Sequence, residues 1–330
     1  MQAQLIALDW GTTSLRAYRL GEHGRVLEQR SLSAGIMQLP NTPRLIAGVM
    51  CNDGFELALD EACGDWLDAQ PDLPVIACGM VGSAQGWREA AYRETPASVA
   101  GLSSALQTVR SLRGVEIHII PGVLQRSALP NVMRGEETQV LGVLAALPEA
   151  ETRKPLLIGL PGSHSKWVQA AGGCIVHFDT FMTGEVFAAL SAHTILGRTM
   201  QRSYAFDEAA FDRGVSVALS ADGAAGPLST IFSCRTLGLT GQLSPAAQAD
   251  YLSGLLIGHE LATLASLQRN LHEVLPAVIL IGGEQLCLRY GRALTACGFL
   301  HVTVAEQATE RGLWQVAVKA GLLASTQAEV

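Results

Sequence analysis

The stretch Leu5-Ile6-Ala7-Leu8-Asp9-Trp10-Gly11-Thr12-Thr13-Ser14 combines residue types that can grip an anion and hold a metal. A short apolar run that ends at a glycine reads as a buried strand entering a tight turn. Gly11 lets the backbone come close to a ligand. Successive backbone N–H groups in such a turn, helped by the hydroxyls of Thr12, Thr13 and Ser14, make a concavity suited to phosphate. Asp9, at the strand's C-terminal end, is positioned to hold a hydrated Mg2+. A plain hairpin with Thr-rich turn chemistry is the competing reading, so the assignment depends on what the rest of the chain supplies.

The elements that must position this turn follow from pattern. Leu15 to Leu20 alternates, Gly21-Glu22-His23-Gly24 is a turn, and Arg25 to Ser33 reads as a third strand, giving an antiparallel meander. A helix is expected from about Phe55 to Ala69, then strands at Pro74 to Cys78 and Val115 to Ile120. Between those strands lies a glycine-punctuated loop, Gly79 to Arg88. Met133 to Gly142 opens a helix that reaches about Leu147. Pro148 to Pro155 is charged and proline-bounded, which suits an inter-domain connection.

The organisation then repeats. Leu156 to Leu160 is a second apolar strand running into a Gly/Ser turn, Pro161-Gly162-Ser163-His164-Ser165-Lys166, and a second meander through Gly172-Gly173. Helices are expected at Gly184 to Leu196, Asp207 to Leu219 and Pro245 to Leu271. A strand at Ala277 to Ile281 ends at Gly282-Gly283, and a helix, a strand at Leu300 to Val304 and a closing helix from about Arg311 to Ala324 follow. Two α/β domains result, residues 1–150 and 151–330.

Composition narrows the classes. Of the 330 residues 48% are apolar and 16% charged, which is enough for two cores and argues against disorder. The net charge is −7 and the lysines are Lys154, Lys166 and Lys319 alone, so no basic face for nucleic acid is expected. Seven scattered cysteines contain no C-x-x-C pair, hence neither a zinc site nor a disulfide framework. The N-terminus has no signal-peptide pattern and no segment has the length of a membrane span. A soluble cytoplasmic protein is expected. No Walker sequence occurs, which excludes the P-loop route to phosphate.

Five motifs in order, across most of the chain, resemble the 2-dehydro-3-deoxygalactonokinase family within the sugar-kinase/Hsp70/actin ATPase superfamily. They are Asp9 to Ser14, the Gly79 to Arg88 loop, Arg134-Gly135-Glu136-Glu137-Thr138-Gln139, Gly159 to Trp167, and Ile281-Gly282-Gly283-Glu284. The resemblance implies two ribonuclease-H-like (actin-like ATPase) domains flanking a nucleotide cleft, with ATP and Mg2+ bound there. Its implied reaction is ATP-dependent phosphorylation of the terminal hydroxyl of 2-dehydro-3-deoxy-D-galactonate, in galactonate catabolism. In such a transfer the protein positions reactants and stabilises charge.

Under that resemblance Asp9 organises metal and phosphates while Gly11, Thr12, Thr13 and Ser14 form the first phosphate grip. Gly162, Ser163, Ser165 and Lys166 form the second, where Lys166 adds a point charge. His164 is as readily a local hydrogen-bonder as a ligand contact. Gly282, Gly283 and Glu284 match the adenosine motif. Gly184, at a helix start inside Thr180-Phe181-Met182-Thr183-Gly184-Glu185, fits a nucleotide wall; Phe181 and Met182 read as core.

Glu136 falls where related kinases carry an Asp base, and a helix N-terminus would keep it ionised. Glu137 is adjacent, so the choice between them stays open, and both can equally be first-turn residues that offset the helix dipole. Ser83, Gln85 and Gly86 can meet sugar hydroxyls and Trp87 can offer an apolar face. Arg88 can hold the substrate carboxylate in bidentate fashion, with Arg16, Arg134 and Arg235 as rivals. Other acceptors (another sugar acid, a ketose, glycerol, an anhydro amino sugar) and a nucleotide-driven switch of the actin kind remain as alternatives. A homodimer is compatible with the long apolar helix ending at Leu271, which can serve as core or interface.

Overall fold

The computed structural model describes residues 2–201, 203, 205–271 and 273–323. The chain divides into two compact units. One comprises Met1–Lys154, Ala170–Phe178 and the segment from Glu306 onward, the other Pro155–Gln169 and Asp179–Ala305.

The first unit is built on β1 (Leu5–Trp10), β2 (Leu15–Leu20), β3 (Val26–Leu32), β4 (Val75–Cys78), β5 (Gln107–Arg110) and β6 (Glu116–Ile119). Their order in the sheet is β3-β2-β1-β4-β6-β5. The meander β1–β2–β3 is antiparallel, whereas β1–β4 and β4–β6 are parallel. Leu5 to Leu8 are buried without a break, as a strand covered on both faces requires. Helix α1 (Gly54–Ala69) is capped by Asp53, whose carboxylate accepts from the Phe55 and Glu56 amides. It buries Leu59, Ala62 and Trp66 with Ile6, Leu8 and Ile117 of the sheet, each such aliphatic side chain contributing about 1.5–3 kcal/mol. Helix α2 (Glu136–Ala146) follows the hairpin that ends at Met133.

A second sheet is built on β7 (Leu156–Leu160), β8 (Ser165–Ala171), β9 (Cys174–Phe181), β10 (Val278–Leu280) and β11 (Val302–Val304), of which the end of β8 and most of β9 count with the first unit and the rest with the other. They form a sheet of order β9-β8-β7-β10-β11. This repeats the order of the first sheet without its extra edge strand β5. β7–β10 and β10–β11 are parallel. Helices α3 (Thr183–His193), α4 (Glu208–Leu219), α5 (Gln248–Leu271) and α6 (Glu284–Ala296) complete it. α4 and α5 approach closely at glycines: a Cβ on Gly254 would lie 2.0 Å from the Phe211 carbonyl oxygen.

The last helix, α7 (Ala308–Lys319), belongs to the first unit and packs on α2, β1 and β4. Its contact with α2 has no room for side chains. A Cβ on Gly142 would lie 1.9 Å from the Ala308 oxygen, and one on Gly312 1.9 Å from the Thr138 oxygen. The expected closing helix is thus present three residues earlier in the chain than its predicted start, while its predicted end, Ala324, lies outside the described residues. Among the described residues no helix is long and apolar enough to cross a membrane.

Candidate active site

Because β1 and β4 run parallel, their C-terminal ends lie side by side, with Asp9 opposite Cys78. Open α/β sheets bind ligands at this edge. Three backbones meet there through glycines. Gly79 has φ +92° and a Cβ on it would sit 2.7 Å from the Trp10 carbonyl oxygen. Gly135 has φ +106° and a Cβ on it would sit 3.3 Å from Gly79 Cα. Positive φ at both favours glycine. The result brings Glu136, the first residue of α2, within electrostatic reach of Asp9.

Burial raises the Asp9 carboxyl above the usual carboxylate range; Arg16 counters this, and Glu310 of α7 and Glu136 add to it. Arg16 Nη1 is 3.3 Å from Asp9 Oδ2 and its side chain is half exposed, so the pair alone is worth little. A cation placed beside Asp9 would favour its ionised form. The turn after it is held from behind. Gly11 N–H donates to Ser14 O, and Ile36 and Met37 N–H donate to the carbonyls of Gly11 and Thr12. Gly35 fits against the turn only because it lacks a Cβ, which would fall 2.3 Å from Thr13 N. Thr12 and Thr13 are exposed and Ser14 half-buried, leaving the turn's hydroxyls on the open side.

The neighbouring glutamates differ sharply. Glu137 is fully buried; its carboxyl accepts from Gly135 N–H at 2.7 Å and from the Thr138 hydroxyl at 3.0 Å. Burial, then the charge of Glu136, pushes its pKa up to about 8. Glu136 is half-buried, and its carboxylate accepts from Arg134 N–H at 3.0 Å.

The loop after β4 separates its predicted residues. Ser83 is buried, and its hydroxyl has no hydrogen-bond partner. Gln85 and Arg88 are exposed. Gly86 sits where a Cβ would collide with Val81 O at 2.1 Å. Trp87 stacks on Phe55 (5.7 Å between centroids, 12°) and meets Trp10 edge-on, so part of its apolar surface serves the core rather than a ligand. Arg134 stands beside this loop. A Cβ on Gly82 would lie 3.0 Å from its Nη1; its guanidinium lies 4.4 Å over the Tyr92 ring and its Nη2 donates to Ala90 O at 2.8 Å. Its Nε and Nη1 have no hydrogen-bond partner. Of its rivals, Arg16 is paired with Asp9 and Arg235 donates to Ile195 O in the other unit.

In the second unit β7 and β10 again bring two strand ends together, and Ile281 N–H donates to Gly159 O at 2.8 Å. The Gly162 turn and the Gly282-Gly283 pair are therefore neighbours: a Cβ on Gly282 would lie 3.7 Å from Pro161 O. Gly283 caps α6 with no atom near its missing Cβ, and Glu284 is exposed beside it. Gly184, in the first turn of α3, has the Gly162 oxygen 2.4 Å from where a Cβ would be. Glu185 of α3 donates its N–H to Ser163 O at 3.0 Å, and its carboxylate meets His164. A cavity of about 320 Å³ is lined by Gly162, Thr183, Gly184, Leu286, Arg289 and Tyr290 among others.

Within that loop Gly162 is half-buried and Ser163 exposed, but Ser165 is completely buried and Lys166 nearly so. Lys166 Nζ donates to Thr180 Oγ1 at 3.0 Å. Two residues that the sequence pattern did not single out stand behind Ser165: Tyr290 of α6 and the buried Glu260 of α5. A Tyr and a Glu inside apolar helix patterns carry no local signal of such a role.

The family model for 2-keto-3-deoxy-galactonokinase matches residues 9–316. A Rhizobium meliloti (strain 1021) protein named "Probable 2-dehydro-3-deoxygalactonokinase" is 36% identical over 93% of this chain and 94% of its own length. The chain belongs to the 2-keto-3-deoxy-galactonokinase family. This is a family of carbohydrate kinases. The 2-dehydro-3-deoxygalactonokinase of Escherichia coli (strain K12) is 34% identical over 96% of this chain and 98% of its own. A crystal structure of a Sinorhizobium meliloti protein, provisionally given the same enzyme name, superposes with a TM-score of 0.79 at 34% identity, covering 95% of this chain and 98% of that one. Component A of (R)-2-hydroxyglutaryl-CoA dehydratase from Acidaminococcus fermentans shares the fold alone, with a TM-score of 0.50 and 13% identity over 97% of this chain and 100% of that one.

Proposed function

We propose that this member of the 2-keto-3-deoxy-galactonokinase family transfers the γ-phosphoryl group of ATP to the terminal hydroxyl of 2-dehydro-3-deoxy-D-galactonate, giving the 6-phosphate. The carrying observation is the division of labour at the start of α2. Glu137 is locked by two donors in the protein interior, whereas Glu136 stays half-accessible and within electrostatic reach of Asp9. Glu136 is the base: it takes the proton from the acceptor hydroxyl as the oxygen–phosphorus bond forms. A base confined to one of two adjacent carboxylates keeps the proton's destination fixed.

Arg134 is the group for the substrate's acid. Its guanidinium is held in place by Tyr92 and Ala90 while Nε and Nη1 have no hydrogen-bond partner, and a carboxylate oxygen is the acceptor that suits such a charged donor. Ser83, Gln85 and the Gly86 backbone supply hydrogen bonds to the hydroxyls. Gly11 to Ser14 in the first unit and the Gly162 loop in the second bind phosphate oxygens, and Gly282, Gly283, Glu284 and Gly184 border the nucleoside.

Mg2+ fits Asp9. Among the described residues no three metal-ligating side chains converge, and an ion held through one carboxylate, water and phosphate is the usual coordination of Mg2+. There it would neutralise charge on the phosphates.

The test is ATP turnover with 2-dehydro-3-deoxygalactonate, its gluconate epimer and no acceptor, followed by Glu136→Gln. Turnover is expected only with a sugar acid, and the variant should lose about 10²–10⁴-fold in kcat while binding MgADP as the wild type does. ATP hydrolysis at equal rate without acceptor would sink the kinase reading in favour of a nucleotide switch.

A further inference from the structure

A buried polar chain runs through the second unit from α5 to the Gly162 loop. Glu260 is 3% exposed and accepts from Trp167 Nε1 at 2.7 Å and from the Tyr290 hydroxyl at 2.8 Å. The same Tyr290 oxygen is 2.9 Å from Ser165 Oγ. Ser165 Oγ in turn lies 3.5 Å from Gly162 N, which donates to it. Every member from Glu260 to Ser165 is buried, in the company of Leu261, Leu264 and Leu280.

The direction of each hydrogen follows from donor arithmetic. Trp Nε1 can only donate, so Oε1 of Glu260 is an acceptor. Burial raises the Glu260 pKa, while hydrogen bonds with Thr183, Trp167 and Tyr290 favour its ionised form; in that form Oε2 has no hydrogen to give, so the single Tyr290 hydrogen goes to it. Tyr290 must then accept, and the hydrogen it accepts is that of Ser165. The Ser165 hydroxyl therefore points inward, and only its lone pairs face the loop, where Gly162 N–H meets them. A ligand phosphate, which needs donors, cannot be served by Ser165 itself.

We propose that Glu260 and Tyr290 are positioning residues that act through Ser165 to set the backbone of the Gly162 loop for a nucleotide phosphate, the contacts being made by loop N–H groups. This rests on the reading of that loop as the second phosphate grip. A buried network in which every member is satisfied holds one geometry, and cutting it in the middle leaves Ser165 without an acceptor and Glu260 short of a donor.

The experiment is calorimetric MgADP binding to the full chain, with steady-state kinetics on the same variants. Tyr290→Phe keeps the ring and removes only the relay oxygen. It is expected to weaken MgADP about tenfold while leaving KM for the sugar acid within twofold. Ser165→Ala should do the same, and the double variant should be no weaker than the worse single one, because both interrupt one chain. Glu260→Gln, which still accepts from Trp167, should lose less than Glu260→Leu.

Gly184→Ala, which presses on the Gly162 oxygen and leaves the side chains of Glu260, Tyr290 and Ser165 in place, separates the two levels. If Gly184→Ala weakens MgADP but Tyr290→Phe stays within twofold of wild type, or if the two relay losses add, the positioning proposal is wrong. If none of the variants changes MgADP binding, the loop is not a nucleotide grip and both readings fall. A Tyr290→Phe protein that melts lower yet binds MgADP normally assigns the network to stability alone, and also overturns the proposal.

Discussion

Glu136 and Glu137 are one residue apart, and the environment divides them. The sequence placed both at a helix start and could not choose, because accessibility at adjacent positions depends on which way the helix faces its neighbours. Here Glu137 points into the protein, where burial outweighs its two hydrogen bonds and holds its pKa near 8 against an ordinary 4.5. Below about pH 4.5 the group is protonated in the folded and unfolded chain alike. Between there and about pH 8 the unfolded chain gives up its proton while the folded one keeps it, so stability falls as pH rises through this window. Glu137→Gln mimics the protonated form and should flatten that fall. Melting temperatures at pH 5, 6.5 and 8 test it. An unchanged slope would mean that Glu137 is ionised in the fold.

At the scale of elements, what the sequence made legible was largely local: both meanders, the strand ends and most helices sit within a few residues of where periodicity put them. The illegible parts needed tertiary contact. β5 is a short edge strand with weak alternation, and the short helices Pro227–Thr230 and Ser233–Leu239 have no extended pattern. In the candidate site, Asp9, Glu136 and the glycines carried motif signals. The burial of Ser165 and Lys166, the partial use of Trp87 by Phe55, and the relay through Tyr290 and Glu260 did not, because each depends on residues distant in sequence.

Glycines inside helices show the same limit, since pattern cannot tell a contact glycine from an idle one. A Cβ at Gly312 would strike Thr138 O, whereas one at Gly291 of α6 meets nothing within 4 Å. Gly312→Ala should therefore destabilise by about 1–3 kcal/mol through overpacking. Gly291→Ala should stabilise by about 0.5–1 kcal/mol through reduced unfolded-state freedom. Urea unfolding of both variants reads the contrast, and equal shifts would refute the α2–α7 contact.

At the scale of the whole molecule, two sheets of the same strand order carry two kinds of site. The residues proposed for the acceptor and the base lie in the first unit; the Gly162 loop and the Gly282-Gly283 pair lie in the second. Binding of a nucleotide to the native state alone stabilises it by mass action, about 2.7 kcal/mol at one hundred times Kd. A thermal scan with MgADP should accordingly show a rise in the wild type that is smaller in a Gly184→Ala protein. A rise of the same size with Gly184→Ala and wild type would detach the nucleotide from that loop.

The place of α7 has a consequence for how the protein comes into being. The chain leaves the first unit's main body at Lys154 and supplies its last helix only from Glu306 onward. At a ribosomal pace of about 5–20 residues per second, roughly 8–30 s pass between those two points. Throughout that interval the glycine face of α2 is synthesised but uncovered, and β1 and β4 lack the helix that shields them. Folding of the N-terminal part is thus held to the timetable of the C-terminal one. Stalled nascent chains released before Glu306 should be cut readily by protease within residues 136–146, and protection should arrive only when the final helix has cleared the exit tunnel.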